Sequence, residues 1–318
     1  MTTPLFRPRR ELGRTGFMAT ILGIGDLADR QLPLEPLVAT VQRALDAGLN
    51  LIDTAPGYEV GYSEQIVGQA LKGSREGVFV IDKIDHLDQP VAPQIETSLA
   101  RLQMDYTDLF VFHNLSTLAA WSDLTTPGGG LAQLDQAIRA GKTRFKGISS
   151  HHPDVLAAAM PSGLVDVVMF PVGPYVDQRY IAEMLPLARQ YHVGTVCFKT
   201  FGAGKLLGDT SGYNQPLPQL PRGLRSAKGQ TARQPLLPHL SVAQCVHYTL
   251  TCDPDVALLG LSDPSEQAAA FAAAQSFTAP LDAEQMATIR QSAVAAMADK
   301  GPCRWNPGEP WARAAVGR

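Results

Sequence analysis

The sequence predicts an α/β fold of the (β/α)8 TIM-barrel class, with a short N-terminal hairpin and a long loop after the seventh strand. Three observations carry that expectation. Eight short, nearly unbroken apolar runs recur along the 318 residues, as strands of a parallel sheet covered on both faces do. Each is followed by a stretch whose apolar residues return at three- and four-residue steps, the period of an amphipathic helix. The alternative, an open doubly wound sheet, wants a Gly-x-Gly-x-x-Gly turn after its first strand. Residues 22–29, "LGIGDLAD", hold only two glycines and leave that fingerprint incomplete.

In chain order, the length ahead of the first strand leaves room for the hairpin, and the first strand is "ATILGIG" (19–25). The helical pattern "LEPLVATVQRALDAG" ends on Gly48, a helix-stop residue. "LNLIDTA" (49–55), "VFVIDKI" (78–84) and "DLFVFHN" (108–114) form strands two to four, separated by "SEQIVGQALKG" and "VAPQIETSLARLQ". "LAQLDQAIRAGK", with Gly141 as its stop, leads into strand five, "FKGISS" (145–150). "HPDVLAAAM", "VDVVMFP" (165–171), "YIAEMLPLARQYH" and "GTVCFKT" (194–200) continue the alternation. After the aperiodic, Pro-, Gly- and Arg-rich segment 208–238 come "LSVAQCVHYTL", "VALLGLS" (256–262) and "PSEQAAAFAAAQ". So long an insertion in a barrel reads as a lid. Residues 300–318 form a tail, and the whole chain 1–318 is expected to be one barrel domain.

Composition narrows the function classes. The chain is 45% hydrophobic and 18% charged, with a formal net charge of -3. That balance implies a large core and argues against a nucleic-acid partner, which would want clustered lysine and arginine. No apolar run reaches the roughly 20 residues of a membrane helix, so the expectation is a cytoplasmic protein that acts on small molecules. Cys197, Cys245, Cys252 and Cys303 form no C-x-x-C pair, so no metal site is expected and the thiols read as core residues. The adjacent His151 and His152 in "SSHHP" are poorly placed to chelate one ion together.

The chemistry is sought where a barrel keeps it, at the C-terminal ends of the strands. Asp53 ends an apolar run, where an unpaired carboxylate is costly. Lys83, from the next strand, supplies the partner. His113 ends the fourth strand, and Tyr58 follows Asp53 in its loop. A phenol titrates near 10, and a neighbouring ammonium favours its ionised form and so makes it a better acid. Asp53 keeps that ammonium charged despite burial. Tyr58 then serves as a general acid, with His113 hydrogen-bonding the same substrate oxygen. A site with a proton donor but no nucleophile–base pair or metal cluster suits carbonyl reduction by an external hydride.

"ELGRTG", "LIDTAPGY", "VFVIDK", "LARLQMDYTDLFVFH" and "GKTRFKGISS" resemble the aldo-keto reductases in order and spacing over nearly the whole chain. The resemblance implies a catalytic tetrad of Asp53, Tyr58, Lys83 and His113 serving a nicotinamide cofactor, NAD(P)H. Ser149 and Ser150 stand at the family's Ser-Asn pair, which holds the carboxamide. Met169 stands where glutamine is common, and Phe198 where tyrosine stacks on the ring. Lys199, Thr200, Phe201, Gly202, Gly204 and Lys205 match the loop that wraps the pyrophosphate. Gly25 and Asp26 after the first strand, and Gly260, Ser262, Asp263, Glu266 and Gln267 after the eighth, complete the implied cofactor contacts. NADP-using members carry basic residues after the eighth strand. Here Asp263 and Glu266 stand instead, and residues 234–289 contain no lysine or arginine. Two carboxylates would repel a 2′-phosphate, so the expectation leans to NAD(H), unless Arg222, Arg225, Lys228 or Arg233 of the long loop reach over. The same likeness extends to potassium-channel β subunits, which bind the cofactor but act on a partner, and a barrel lysine leaves a Schiff-base lyase as a further alternative. In this family the C-terminal loop lines the substrate pocket, which draws attention to Trp305 and Trp311.

Overall fold

A two-stranded hairpin, β1 (Arg10–Glu11) and β2 (Met18–Ala19), opens the chain. Its turn brings Gly13 against the barrel wall. Gly13 is left-handed, at φ +51, and a Cβ there would stand 2.1 Å from the Gly194 backbone nitrogen, so only glycine permits the approach. The structure is a computed structural model that describes residues 4–25, 30, 32–207, 239–261, 264–298, 303, 305 and 306. The loop 208–238 and most of the tail lie outside the described residues.

Eight strands follow: β3 (Leu22–Gly25), β4 (Leu51–Asp53), β5 (Phe79–Ile84), β6 (Thr107–Phe112), β7 (Thr143–Ser149), β8 (Val167–Pro171), β9 (Gly194–Phe198) and β10 (Val256–Leu259). All pair in parallel, and β10 pairs with both β9 and β3, closing the barrel. Around it run α1 (Leu34–Asp46), α2 (Tyr62–Ala70), α3 (Val91–Leu102), α4 (Leu118–Thr125), α5 (Gly130–Arg139), α6 (Pro153–Ala159), α7 (Leu185–Gln190), α8 (Val242–Cys252), α9 (Pro264–Ser276) and α10 (Ala283–Met297). This is the predicted (β/α)8 architecture. Six of the predicted runs contain their strands, trimmed by one to four residues, whereas β6 begins one residue before its run and β7 two residues before.

Two helices are additions to the sequence reading. α4 is short, and its signal is local: the Thr117 hydroxyl accepts from Ala120 N at 3.1 Å. α10 begins with a reciprocal cap, in which Gln285 N donates to Asp282 Oδ1 and Asp282 N donates to Gln285 Oε1. The predicted helix "YIAEMLPLARQYH" divides into a π-helical turn, Tyr180–Met184, and α7. Pro186 explains the change, since it has no N–H to donate to the carbonyl four residues back.

Strand alternation sorts the core into an inside and an outside. Leu51, Phe79, Ile81, Leu109, Val111, Val167, Met169, Val196, Val256 and Leu258 fill the barrel interior. Leu12 and Ala19 of the hairpin region join that cluster. The Phe17 ring lies 5.0 Å from that of Phe79. The hairpin therefore plugs the N-terminal end of the barrel. The four cysteines are buried, and none forms a disulfide among the described residues. Among the described residues no helix is long and apolar enough to cross a membrane.

Candidate active site

The period of two that fills the barrel also builds its upper layer. On β4, Leu51 faces inward and so does Asp53. On β5, Ile81 is followed by Lys83, and on β6 Val111 is followed by His113. Asp82, between two inward residues, must point outward. Parallel pairing sets Asp53 beside Ile81 and Lys83 beside Val111, so the three polar groups rise from adjacent strands.

Lys83 and Asp53 are both nearly sealed from solvent, 2% and 3% exposed, with Nζ 2.5 Å from Oδ1. Nζ also donates to the Thr54 carbonyl at 2.6 Å. Burial opposes the lysine charge, but Asp53 and then Tyr58 outweigh it and hold the pKa above the ordinary lysine value. Lys83 Nζ stands 4.6 Å from the centre of the Tyr58 ring. The edge of that ring meets His113, with centroids 5.9 Å apart at 82°. The loop achieves this with non-glycine residues in the left-handed region, Glu59 at φ 49 and Val60 at φ 58. A β-branched residue there is a conformational outlier of the kind that gathers at functional sites.

Sequence reasoning missed Asp85. Its Oδ1 lies 2.5 Å from His113 Nδ1, and Gly57 packs against its carboxylate. Burial is the largest single influence and pushes the Asp85 carboxyl up, but the hydrogen bond and charge of His113, with Gly57 and Lys83, together outweigh it and lower its pKa. The signal was present in "DKID": Asp85 lies two residues past Lys83, on the same face. Behind the barrel wall, Asp82 and Glu64 form a second acidic pair, both wholly buried. Lys83 N donates to Asp82 Oδ1 at 2.8 Å and Arg101 Nη1 to Glu64 Oε2 at 3.0 Å.

The expected cofactor side fills the rest of the mouth. Ser149 Oγ accepts from Asn114 N at 2.9 Å, and Ser150 Oγ donates to Leu115 O at 2.7 Å. Met169 lies in the barrel interior, with the half-buried Phe198 packed against the same cluster. The Phe198 ring is 5.3 Å from that of His151. His152 precedes α6, and burial lowers its pKa. Lys199 is left-handed at φ 76, and Thr200 Oγ1 is buried without a hydrogen-bond partner in the structure. Phe201, Gly202 and Gly204 shape the next turn, where Gly202 N donates to Lys199 O and Gly204 N to Phe201 O. The following short helical turn starts at Lys205, whose pKa burial lowers. The ammonium groups of Lys199 and Lys205 flank the Trp305 ring at 5.2 and 5.9 Å, and Trp305 Nε1 donates to Tyr175 O at 3.0 Å.

At the far end, Gly25 pairs with Asp53, and Gly260 follows β10. Glu266 lies in the first turn of α9. Gln267 is buried, and its Nε2 donates to Thr40 O at 2.7 Å. Arg43 of α1, unremarked in the sequence, reaches across to Pro264 O at 2.6 Å and Gln267 Oε1 at 3.4 Å. Asp26, Ser262, Asp263, the four loop cations and Trp311 lie outside the described residues. Among the described residues no cluster of three or more His, Cys, Asp or Glu is placed to hold a metal ion.

A family model described as the aldo/keto reductase family matches residues 20–293. An aldo-keto reductase of Bacillus subtilis, YhdN, is 30% identical over 61% of this chain. The chain spans only 62% of that relative's length. An NADH-specific methylglyoxal reductase of Escherichia coli is 27% identical over 80% of this chain and 83% of its own. Among solved structures, the holo form of an aldo-keto reductase from Bacillus halodurans superposes with a TM-score of 0.65. It is 24% identical and covers 89% of this chain and 95% of that one.

Proposed function

This chain belongs to the aldo/keto reductase family, and from that premise we propose that it is a nicotinamide-dependent oxidoreductase interconverting an aldehyde or ketone with its alcohol, with Tyr58 as the proton donor. The observation that carries the proposal is the Lys83 ammonium, held 4.6 Å from the Tyr58 ring while pinned by Asp53 at 2.5 Å. A fixed positive charge in a site shielded from water favours the phenolate over the phenol. It therefore eases loss of the Tyr58 proton at the moment a carbonyl oxygen becomes basic.

The residues present fit a nicotinamide cofactor. Phe198 offers an aromatic face, the buried Thr200 hydroxyl lacks a hydrogen-bond partner in the structure, and the Gly202–Gly204 turn lets backbone approach a phosphate. Ser149, Ser150 and Met169 would line the nicotinamide end, with Gly25, Asp26 and Gly260 beside it. Lys199 and Lys205 would face the pyrophosphate. Such a cofactor supplies the hydride when bound. The rest falls to the chain. Tyr58 releases its proton to the substrate oxygen, Lys83 stabilises the phenolate left behind, and Asp53 holds Lys83 in place. His113 orients the oxygen that receives the proton. In the oxidation direction, the phenolate takes the alcohol proton instead.

A leaning to NAD(H) follows from the eighth strand's surroundings, where Asp263 and Glu266 stand in place of cations. Arg43 approaches from α1, but its Nη1 is engaged by Pro264 O and Gln267 Oε1. A Schiff-base role suits Lys83 poorly, because an ammonium held this firmly is no nucleophile. Tyr58→Phe tests the proposal: turnover of a reactive aldehyde should fall by at least about a hundredfold, while NADH still quenches intrinsic fluorescence at unchanged concentration. A variant that keeps its turnover refutes the role of Tyr58. In the same titration, tight NADPH binding without NADH binding refutes the coenzyme leaning.

A further inference from the structure

Asp85 ties together three strand ends at the mouth. It follows β5, sits against Gly57 of the loop that carries Tyr58, and lies 2.5 Å from Nδ1 of His113 at the end of β6. Gly57 makes room for it, since a Cβ there would stand 2.6 Å from Asp85 Oδ2. The contact is sheltered, with the two side chains 28% and 19% exposed. We propose that Asp85 is a positioning residue, which fixes the His113 ring by accepting a hydrogen bond from its Nδ1–H and so leaves Nε2 as the atom turned to the substrate oxygen.

The argument is one of hydrogen-bonding capacity. An ionised carboxylate only accepts, so the short contact requires the proton on Nδ1. The other ring nitrogen is then a bare acceptor in neutral His113, and a donor only in its imidazolium form. These two states suit opposite ends of one reaction. A carbonyl oxygen needs a donor, which the imidazolium paired with Asp85 supplies. An alcohol hydroxyl can donate to the bare nitrogen. The groups facing His113 are Tyr58 from the β4 loop and Asp85 beyond β5, with Lys83 behind Tyr58. Without Asp85 the ring would be free to turn and to carry its proton on either nitrogen. The structure thus adds a fifth side chain to the four predicted, one that acts through another rather than on substrate.

The inference rests on the reading of His113 as a substrate-facing residue, so its test has an arm that needs no turnover. In protein labelled with 15N-histidine, long-range proton–nitrogen correlation reports which ring nitrogen is protonated. His113 is picked out from the seven histidines by the signal lost in His113→Gln. The wild type should show His113 protonated at Nδ1, and Asp85→Ala should move the proton to Nε2, the form preferred in water. Gly57→Ala, which crowds Asp85 without removing its charge, should move it in part. A wild-type ring with Nε2 alone protonated, or an unchanged pattern in both variants, overturns the proposal.

The kinetic arm asks for a fall in kcat of at least about tenfold in Asp85→Ala, with cofactor affinity within twofold and partial recovery in Asp85→Glu. Wild-type kcat in Asp85→Ala overturns the positioning role even if the tautomer shifts. Full turnover in Tyr58→Phe would instead defeat the redox mechanism and leave the tautomer result standing.

Discussion

At the scale of single residues, the structural role of the Lys83–Asp53 pair and the catalytic role proposed for it can be separated by substitution. Both side chains are almost fully buried, so neither charge can turn to water when the other is lost. Lys83→Met leaves the Asp53 carboxylate buried without its partner, a loss of about 3–5 kcal/mol for such sites. Adding Asp53→Asn removes the stranded charge, and the double variant should recover much of that stability in chemical denaturation. Neither variant should reduce a carbonyl, because the ammonium beside Tyr58 is absent from both. Recovered turnover in the double variant would mean that Lys83 serves folding alone. The pair was legible in the sequence because a carboxylate ending an apolar run demands a partner, and strand order names Lys83. Asp85 was only half legible: "DKID" places it on the face of Lys83, but nothing in residue spacing says which ring nitrogen of His113 it meets.

At the scale of elements, β5 carries opposite demands on its two faces. Lys83 points into the mouth and Asp82 points outward under α2 and α3, where Glu64 of α2 and Ser98 of α3 are also wholly buried. Burial first, then the Glu64 charge, holds the Asp82 carboxyl well above the usual carboxylate range, and burial likewise raises Glu64. The folded chain therefore binds more protons at this pair than the unfolded chain does. Stability from it is present at low pH and is lost as pH rises from the ordinary value near 4 through the raised folded one. Asp85, Asp177 and Asp253, all lowered, act in the other direction and lose their contribution on acidification. A difference measurement isolates the pair. Asp82→Asn keeps an acceptor for Lys83 N and removes the charge, so it should raise stability at pH 7 by on the order of 1 kcal/mol. It should also flatten the pH dependence of Tm above pH 4. A variant whose Tm follows the wild-type curve in parallel would show that Asp82 is ionised in both states. Element types were readable here because a buried parallel strand is an apolar run, broken in "VFVIDKI" only by the two residues with a task. α4 and α10 were less readable, since their identity lies in caps at Thr117 and Asp282 rather than in a strong apolar period.

For the whole molecule, the barrel divides labour between its two ends, and the division is testable. The upper layer holds polar groups that would be costly anywhere without partners. The lower end is closed by the hairpin, with Leu12 wholly buried beneath the strands and Gly13 pressed against Gly194. This plug was anticipated only as a hairpin. Its place under the barrel depends on packing between residues far apart in sequence, which no local period encodes. The start of α9 was the least legible part, because Arg43 reaches it from α1, more than two hundred residues away in the chain. If the two ends are as separate as the packing implies, damage below should cost stability and spare chemistry. Leu12→Ala removes a large side chain from a filled interior, which costs about 2–5 kcal/mol. Its Tm should fall by several degrees, while kcat and KM measured well below that Tm remain within twofold of wild type. A tenfold loss of kcat in a variant still folded at the assay temperature would show that the barrel transmits strain from its floor to its mouth. In that case the site's geometry would depend on the core as a whole, and the strand ends could not be treated as a rigid frame.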